Sequence, residues 1–147
     1  MKKQDLYRYI LNRIIMPEIS YPTSDRVIEY NYLALQFIKV KKADKPKVLS
    51  YNKIVEIIKD CKAKKGDVYD KAVVLLRGIV QKHAFASGNR RTAFITTKEF
   101  VLSNGAKFGI KDDPLNAKVM LGIREGYYDD EELKEWIKNG KIREFKR

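Results

Sequence analysis

Residues 82–94 read Lys-His-Ala-Phe-Ala-Ser-Gly-Asn-Arg-Arg-Thr-Ala-Phe and contain the only histidine of the 147-residue chain. His83 is the one side chain here whose ordinary pKa lets it exchange protons near neutral pH. The stretch passes through Gly88 and Asn89 into a segment that reads as a helix beginning near Arg90. Unpaired backbone N–H groups and the positive end of a helix dipole would then meet close to the imidazole, a setting that suits an anion. Gly88 permits a tight backbone path, Asn89 can hydrogen-bond phosphate or the loop itself, and Arg90 and Arg91 add two guanidiniums that can fork onto phosphate oxygens. A base beside a phosphate site points to group transfer. The plain structural alternative is a histidine satisfying loop carbonyls and two arginines in surface ion pairs.

The spacing His83-x-Phe85-x-x-Gly88-Asn89-x-Arg91, continued by Thr92-Ala93, resembles the signature of the Fic/Doc family, most closely its Doc (death-on-curing) toxin branch. Five fixed residues at average usage give a chance hit on the order of one in ten thousand chains or rarer, which outweighs the plain reading. The flanks agree: Val68 to Val80 looks like the helix that delivers the family loop, and Phe100 to Gly105 like the end of the motif helix. The resemblance covers Leu49 to Lys138 and leaves out Met1 to Val48. It implies that His83 is the general base on a target hydroxyl, that Gly88, Asn89, Arg90 and Arg91 hold the phosphates of ATP, and that Phe85 anchors the loop in the core. It further implies phosphoryl transfer to a protein such as elongation factor Tu, with an antitoxin protein covering the basic surface. AMP-transferring relatives carry glycine where Arg90 stands and a second arginine where Phe94 stands, so adenylylation is a weaker alternative. Ser87 occupies the position of the Asp or Glu that helps hold Mg2+. Magnesium favours anionic oxygen ligands, so this substitution puts Mg2+ in question and raises the alternative of a non-catalytic nucleotide or protein binder.

Composition sets the frame. The length fits one domain able to bury about two thirds of its unfolded surface. The lone Cys61 cannot form an internal disulfide and has no cluster of ligands near it in sequence, which reads as a buried thiol in a reducing, cytoplasmic setting. No apolar run is long enough to span a bilayer, and Met1-Lys2-Lys3 leads into a mixed polar segment rather than a signal sequence. The net charge of +12 is concentrated in residues 1–65, where fifteen Lys and Arg face seven Asp and Glu. Charge of this kind bears on association; without a recognisable binding motif, nucleic acid is not expected as a partner.

The elements that would position the motif read as helices. Leu6, Ile10 and Ile14 share a helical face that Pro17 ends, which predicts a surface-packed helix. The turn residues Pro22 to Asp25 lead into a helix to about Val40, with Val27, Tyr30, Ala34, Phe37 and Ile38 inward. Lysine-rich Lys39 to Lys47 reads as an exposed connection. Ser50 caps a helix burying Ile54, Ile57, Ile58 and Cys61; Asp67 caps one burying Val68, Ala72, Leu75, Leu76, Ile79 and Val80, which leads into His83. After the motif, Thr92 to Ser103 is expected to be helical with Asn104-Gly105 as a left-handed stop, and Gly105 to Asp113 to be loop. Asp112 or Asp113, with Pro114, opens a helix through Leu115, Val119, Met120 and Ile123. Asp129 or Asp130 opens the last, burying Leu133, Trp136 and Ile137, and Lys141 to Arg147 reads as a loose basic tail. The fold class is an all-α bundle of about seven helices with at most a short hairpin. It is one domain: residues 1–48 are an N-terminal helical extension, 49–138 a core resembling Doc, and 139–147 a basic tail.

Overall fold

Asp67 begins the helix on which the bundle is built. Its carboxylate accepts from the N–H groups of Tyr69 and Asp70, and the Asp70 side chain accepts in return from the Asp67 N–H. This reciprocal cap satisfies donors that the first turn leaves open. The computed structural model describes residues 2–15, 18–37 and 45–146. Over these it contains seven helices: α1 (Lys3–Ile15), α2 (Ser24–Phe37), α3 (Tyr51–Ala63), α4 (Val68–Lys82), α5 (Asn89–Ser103), α6 (Asn116–Arg124) and α7 (Asp130–Asn139). No strand occurs among the described residues; the connections hold less than the short hairpin allowed for, a single antiparallel bridge between Val48 and Phe85. A bridge is all the segment allows, because Lys47 to Ser50 meets Ala84 to Ala86 only briefly before α3 begins.

α4 is apolar on most sides because helices stand on most sides of it: α3, α5, α6 and α7 all pack against it. Ala72, Leu75, Leu76 and Ile79 are buried accordingly. α2 lies across α5 and α3. The capping expected for α3 and α7 is present, with Ser50 accepting from the Lys53 N–H and Asp129 paired with Glu132 in a second reciprocal cap.

One buried cation organises the far end of α3. Lys71 sends its Nζ to the carbonyls of Lys64 (2.6 Å), Lys62 (3.1 Å) and Cys61 (3.4 Å), closing the carbonyl end of that helix from α4. A positive charge there also meets the negative end of the helix dipole. Cys61 beside it is fully buried, and burial pushes its thiol up to about 11. Because the folded form holds this proton more tightly than the unfolded chain, the stabilisation is complete below the ordinary thiol range near 9 and is lost as pH rises towards about 11. Native protein should accordingly leave Cys61 unlabelled by a thiol-reactive dye at pH 7 and show a single reactive thiol only in denaturant, as absorbance of the released chromophore will report.

Three expectations need correction. Leu6 and Ile10 of α1 are each about half exposed, so at these two positions the expected inward face is not covered. With Lys3, Asp5 and Arg8 interspersed, that face offers little apolar area to a core closed by the other helices. The side chain of Ile14, like that of Phe37 and all of 38–44, lies outside the described residues. Leu115 is exposed because the chain turns through Pro114 and Leu115 before α6 begins at Asn116. The tail is not loose over residues 141–146. Phe145 is buried against Tyr127 and Gly122, Arg143 forks onto Glu132 and stacks over Tyr127, and Lys118 pairs with Glu144. A Cβ on Gly122 would lie 2.6 Å from Tyr128 Cε2, so the absent side chain is what admits this packing.

Candidate active site

The motif loop is set by the way α4 ends. His83 terminates the helix in the left-handed region, at φ 54° and ψ 52°. For a residue other than glycine this costs about 1–2 kcal/mol, and it reverses the chain so that the imidazole leaves the helix and reaches solvent. Phe85, two residues on, is 1 % exposed and inserts among side chains of α2, α3 and α4.

Asn89 locks the two ends of the loop together. Its Oδ1 accepts from the Phe85 N–H (3.1 Å), and its Nδ2 donates to the Phe85 carbonyl (2.9 Å). The Phe85 N–H can only donate, so the orientation of the Asn89 amide is fixed. The same Nδ2 lies 3.3 Å from His83 Nδ1. An N–H faces that ring nitrogen, so Nδ1 is the acceptor and the neutral ring carries its proton on Nε2, towards the pocket. Asn89, read as a phosphate-site residue, thus spends its side chain on the loop.

A second asparagine holds the outer half of the loop. Asn31 of α2 is buried and donates to the Ser87 carbonyl (2.9 Å) and to Thr92 Oγ1 (3.1 Å), while Thr92 donates to the Gly88 carbonyl (2.8 Å). With these carbonyls turned inward, the backbone enters α5 through Gly88 at φ 77°. A Cβ there would be strained by φ and would lie 3.1 Å from Leu35 Cδ2 and 3.3 Å from Asn31 Nδ2. No side chain caps α5, so the first-turn amides of Asn89, Arg90 and Arg91 keep their donors for a ligand or water. Sequence reasoning missed Asn31. Its signal was a polar residue on the stripe of Val27, Ala34 and Leu35, where only a partnered polar group is tolerated. Asn31→Ala should lower unfolding free energy by about 1–3 kcal/mol in urea titration, because it removes two hydrogen bonds, one to the buried Thr92 hydroxyl and one to the half-buried Ser87 carbonyl.

His83, Ser87, Gly88, Asn89, Arg90 and Arg91 all line one cavity of about 800 Å³. That volume is ample for a nucleotide-sized ligand. Phe94 lines the cavity and also packs, half-buried, against the core, in edge contact with Phe108 at 5.7 Å between ring centroids. The lining also includes Asp112 and Asp113, which precede α6, and Asn116, Met120 and Arg124 of α6, none of them among the site residues that the sequence points to. The expected cap by Asp112 or Asp113 is not formed: Leu115 is the N-cap of α6, and Asp113 accepts instead from the Leu115 N–H at 2.9 Å in the turn before it.

The motif loop itself offers magnesium no carboxylate. Ser87 offers a neutral hydroxyl, both aspartates are exposed on the rim, and among the described residues no group of three His, Cys, Asp or Glu could hold a metal ion. Hard divalent ions are held by one or two carboxylates together with substrate phosphates, and Ser87 supplies none. Nor is any helix among the described residues long and apolar enough to cross a membrane.

A family model described as Fic/DOC family matches residues 8–101. The matched span begins well before Leu49 and takes in α2 with Asn31. No curated protein matches the chain.

Proposed function

The chain belongs to the Fic/DOC family, and from that premise we propose that it is a Doc-like toxin that transfers the γ-phosphoryl group of ATP to a hydroxyl of a target protein in the cytoplasm. The observation that carries this reading is the single cavity shared by His83, the uncapped start of α5, Arg90 and Arg91. In the step proposed, the hydroxyl oxygen bonds to the γ-phosphorus, the bond to the β,γ-bridging oxygen breaks, and ADP leaves with that electron pair. The hydroxyl proton passes to His83 Nε2. Since the resting ring holds its proton there, base action requires the Nδ1–H tautomer and release of the 3.3 Å contact with Asn89. The α5 amides and the guanidiniums stabilise charge on the phosphoryl oxygens.

Arg90 and Phe94 favour phosphoryl over adenylyl transfer, in which the hydroxyl would attack the α-phosphorus and pyrophosphate would leave. A non-catalytic binder is the second reading, and Ser87 is what favours it. Elongation factor Tu or its counterpart is the first target to try, and an antitoxin segment of acidic or amphipathic character fits the basic surface. Incubation of the target with ATP, followed by its intact mass, separates the readings: added phosphate supports the proposal, added AMP replaces it with adenylylation, and no addition with ATP bound leaves the binder. Ser87→Asp should raise modification of the target and make it magnesium-dependent, because it supplies the missing anionic oxygen. No transfer by either protein in the same assay would favour the binder.

A further inference from the structure

The cavity is lined by a third arginine that lies outside the motif. Arg124, in the last turn of α6, lines it together with Arg90 and Arg91 of α5. Elsewhere on the surface Arg26, Arg77 and Arg143 each hold a carboxylate, Glu29, Asp130 and Glu132 respectively. The three arginines of the cavity make no hydrogen bond or ion pair among the described residues. Asp112 and Asp113 share the cavity wall but pair with none of them. Like charges gathered around one cavity repel, and a phosphate chain is the ligand that removes this cost while using the guanidinium fork.

We propose that Arg124 is a phosphate-binding residue, and that the α5 and α6 arginines together form a clamp for a polyphosphate chain rather than for a single phosphate. This rests on the nucleotide reading of the cavity and deepens it. A chain of linked phosphates offers enough oxygens to meet guanidiniums of both helices at once, whereas a single phosphate has few to share among three forks. The clamp also supplies cationic charge at a site where Ser87 offers no carboxylate for a metal. The plain account of Arg124 is a cation at the carbonyl end of a helix, favourable to the dipole. That account explains the charge but predicts no effect on ligand binding.

Calorimetric titration with inorganic tripolyphosphate and with orthophosphate, both in EDTA, decides between them. The wild-type protein should bind tripolyphosphate more tightly than orthophosphate. Arg124→Gln should weaken tripolyphosphate binding about tenfold or more, the usual worth of a charge-assisted hydrogen bond, while leaving orthophosphate binding and the melting temperature nearly unchanged. Lys59→Gln, an exposed site on α3 away from the cavity, should change neither. If Arg91→Gln weakens binding while Arg124→Gln behaves like Lys59→Gln, the clamp is refuted and the nucleotide reading stands. If the wild-type protein binds no tripolyphosphate, or all three variants lose equally, both fall.

Discussion

His83→Ala is expected to remove transfer to the target by about 100-fold to 10,000-fold while the protein stays folded, the usual cost of losing a positioned general base. The side chain is exposed, and its one hydrogen bond is the 3.3 Å contact with Asn89, whose amide keeps both bonds to Phe85 without it. Replacement by alanine should therefore leave the melting curve close to that of the wild type. The left-handed conformation at this position persists as a strain that alanine bears no better than histidine. ATP should still bind, because the amides of α5 and the arginines are untouched. The measurement is intact mass of the target over time beside a thermal melt, and undiminished modification by a folded variant would take His83 out of the mechanism.

Phe85→Ala should produce the largest loss of stability, about 3–5 kcal/mol. Its ring is almost wholly buried, among Val27 of α2, Ile54, Ile57 and Ile58 of α3, and Leu75 and Ile79 of α4. Truncation leaves a cavity at the junction of three helices, and these cannot close on it because each is also held elsewhere in the core. A domain with about 5–15 kcal/mol of total stability loses much of its margin by such a change. Phosphate binding should weaken with it, since the backbone of Phe85 is the anchor for Asn89 and hence for the first turn of α5. Phe85→Leu, which fills most of the space, should recover most of both. Urea denaturation and calorimetry with tripolyphosphate on the same preparations will show whether stability and binding fall together.

The local chemistry of the chain was legible along its length. Ser50, Asp67 and Asp129 cap the helices they were expected to cap, because a cap depends on side chains within three residues of one another. The buried stripes of α3, α4 and α7 follow from 3.6-residue spacing alone. The motif residues likewise meet in one cavity because they lie on a single turn and the helix that follows it. Sequence thus determined an all-helical chain with an anion-ready loop carrying its one imidazole.

Only the tertiary structure decided what surrounds that loop. Asn31 reaches Ser87 across 56 positions in sequence, and Arg124 shares a cavity with Arg90 across 34. Contacts of that span leave no periodic trace, so neither residue stands out from its neighbours in sequence. The tail was misjudged for the same reason: Lys141 to Lys146 is mostly polar, and its order depends on Phe145 meeting Tyr127 over Gly122. Even the tautomer of His83 follows from geometry rather than composition, since it is the pinning of the Asn89 amide by the Phe85 backbone that turns an N–H towards Nδ1. Residue type and spacing decide which bonds a segment can make with itself; which distant groups come to share its cavity depends on how the helices pack.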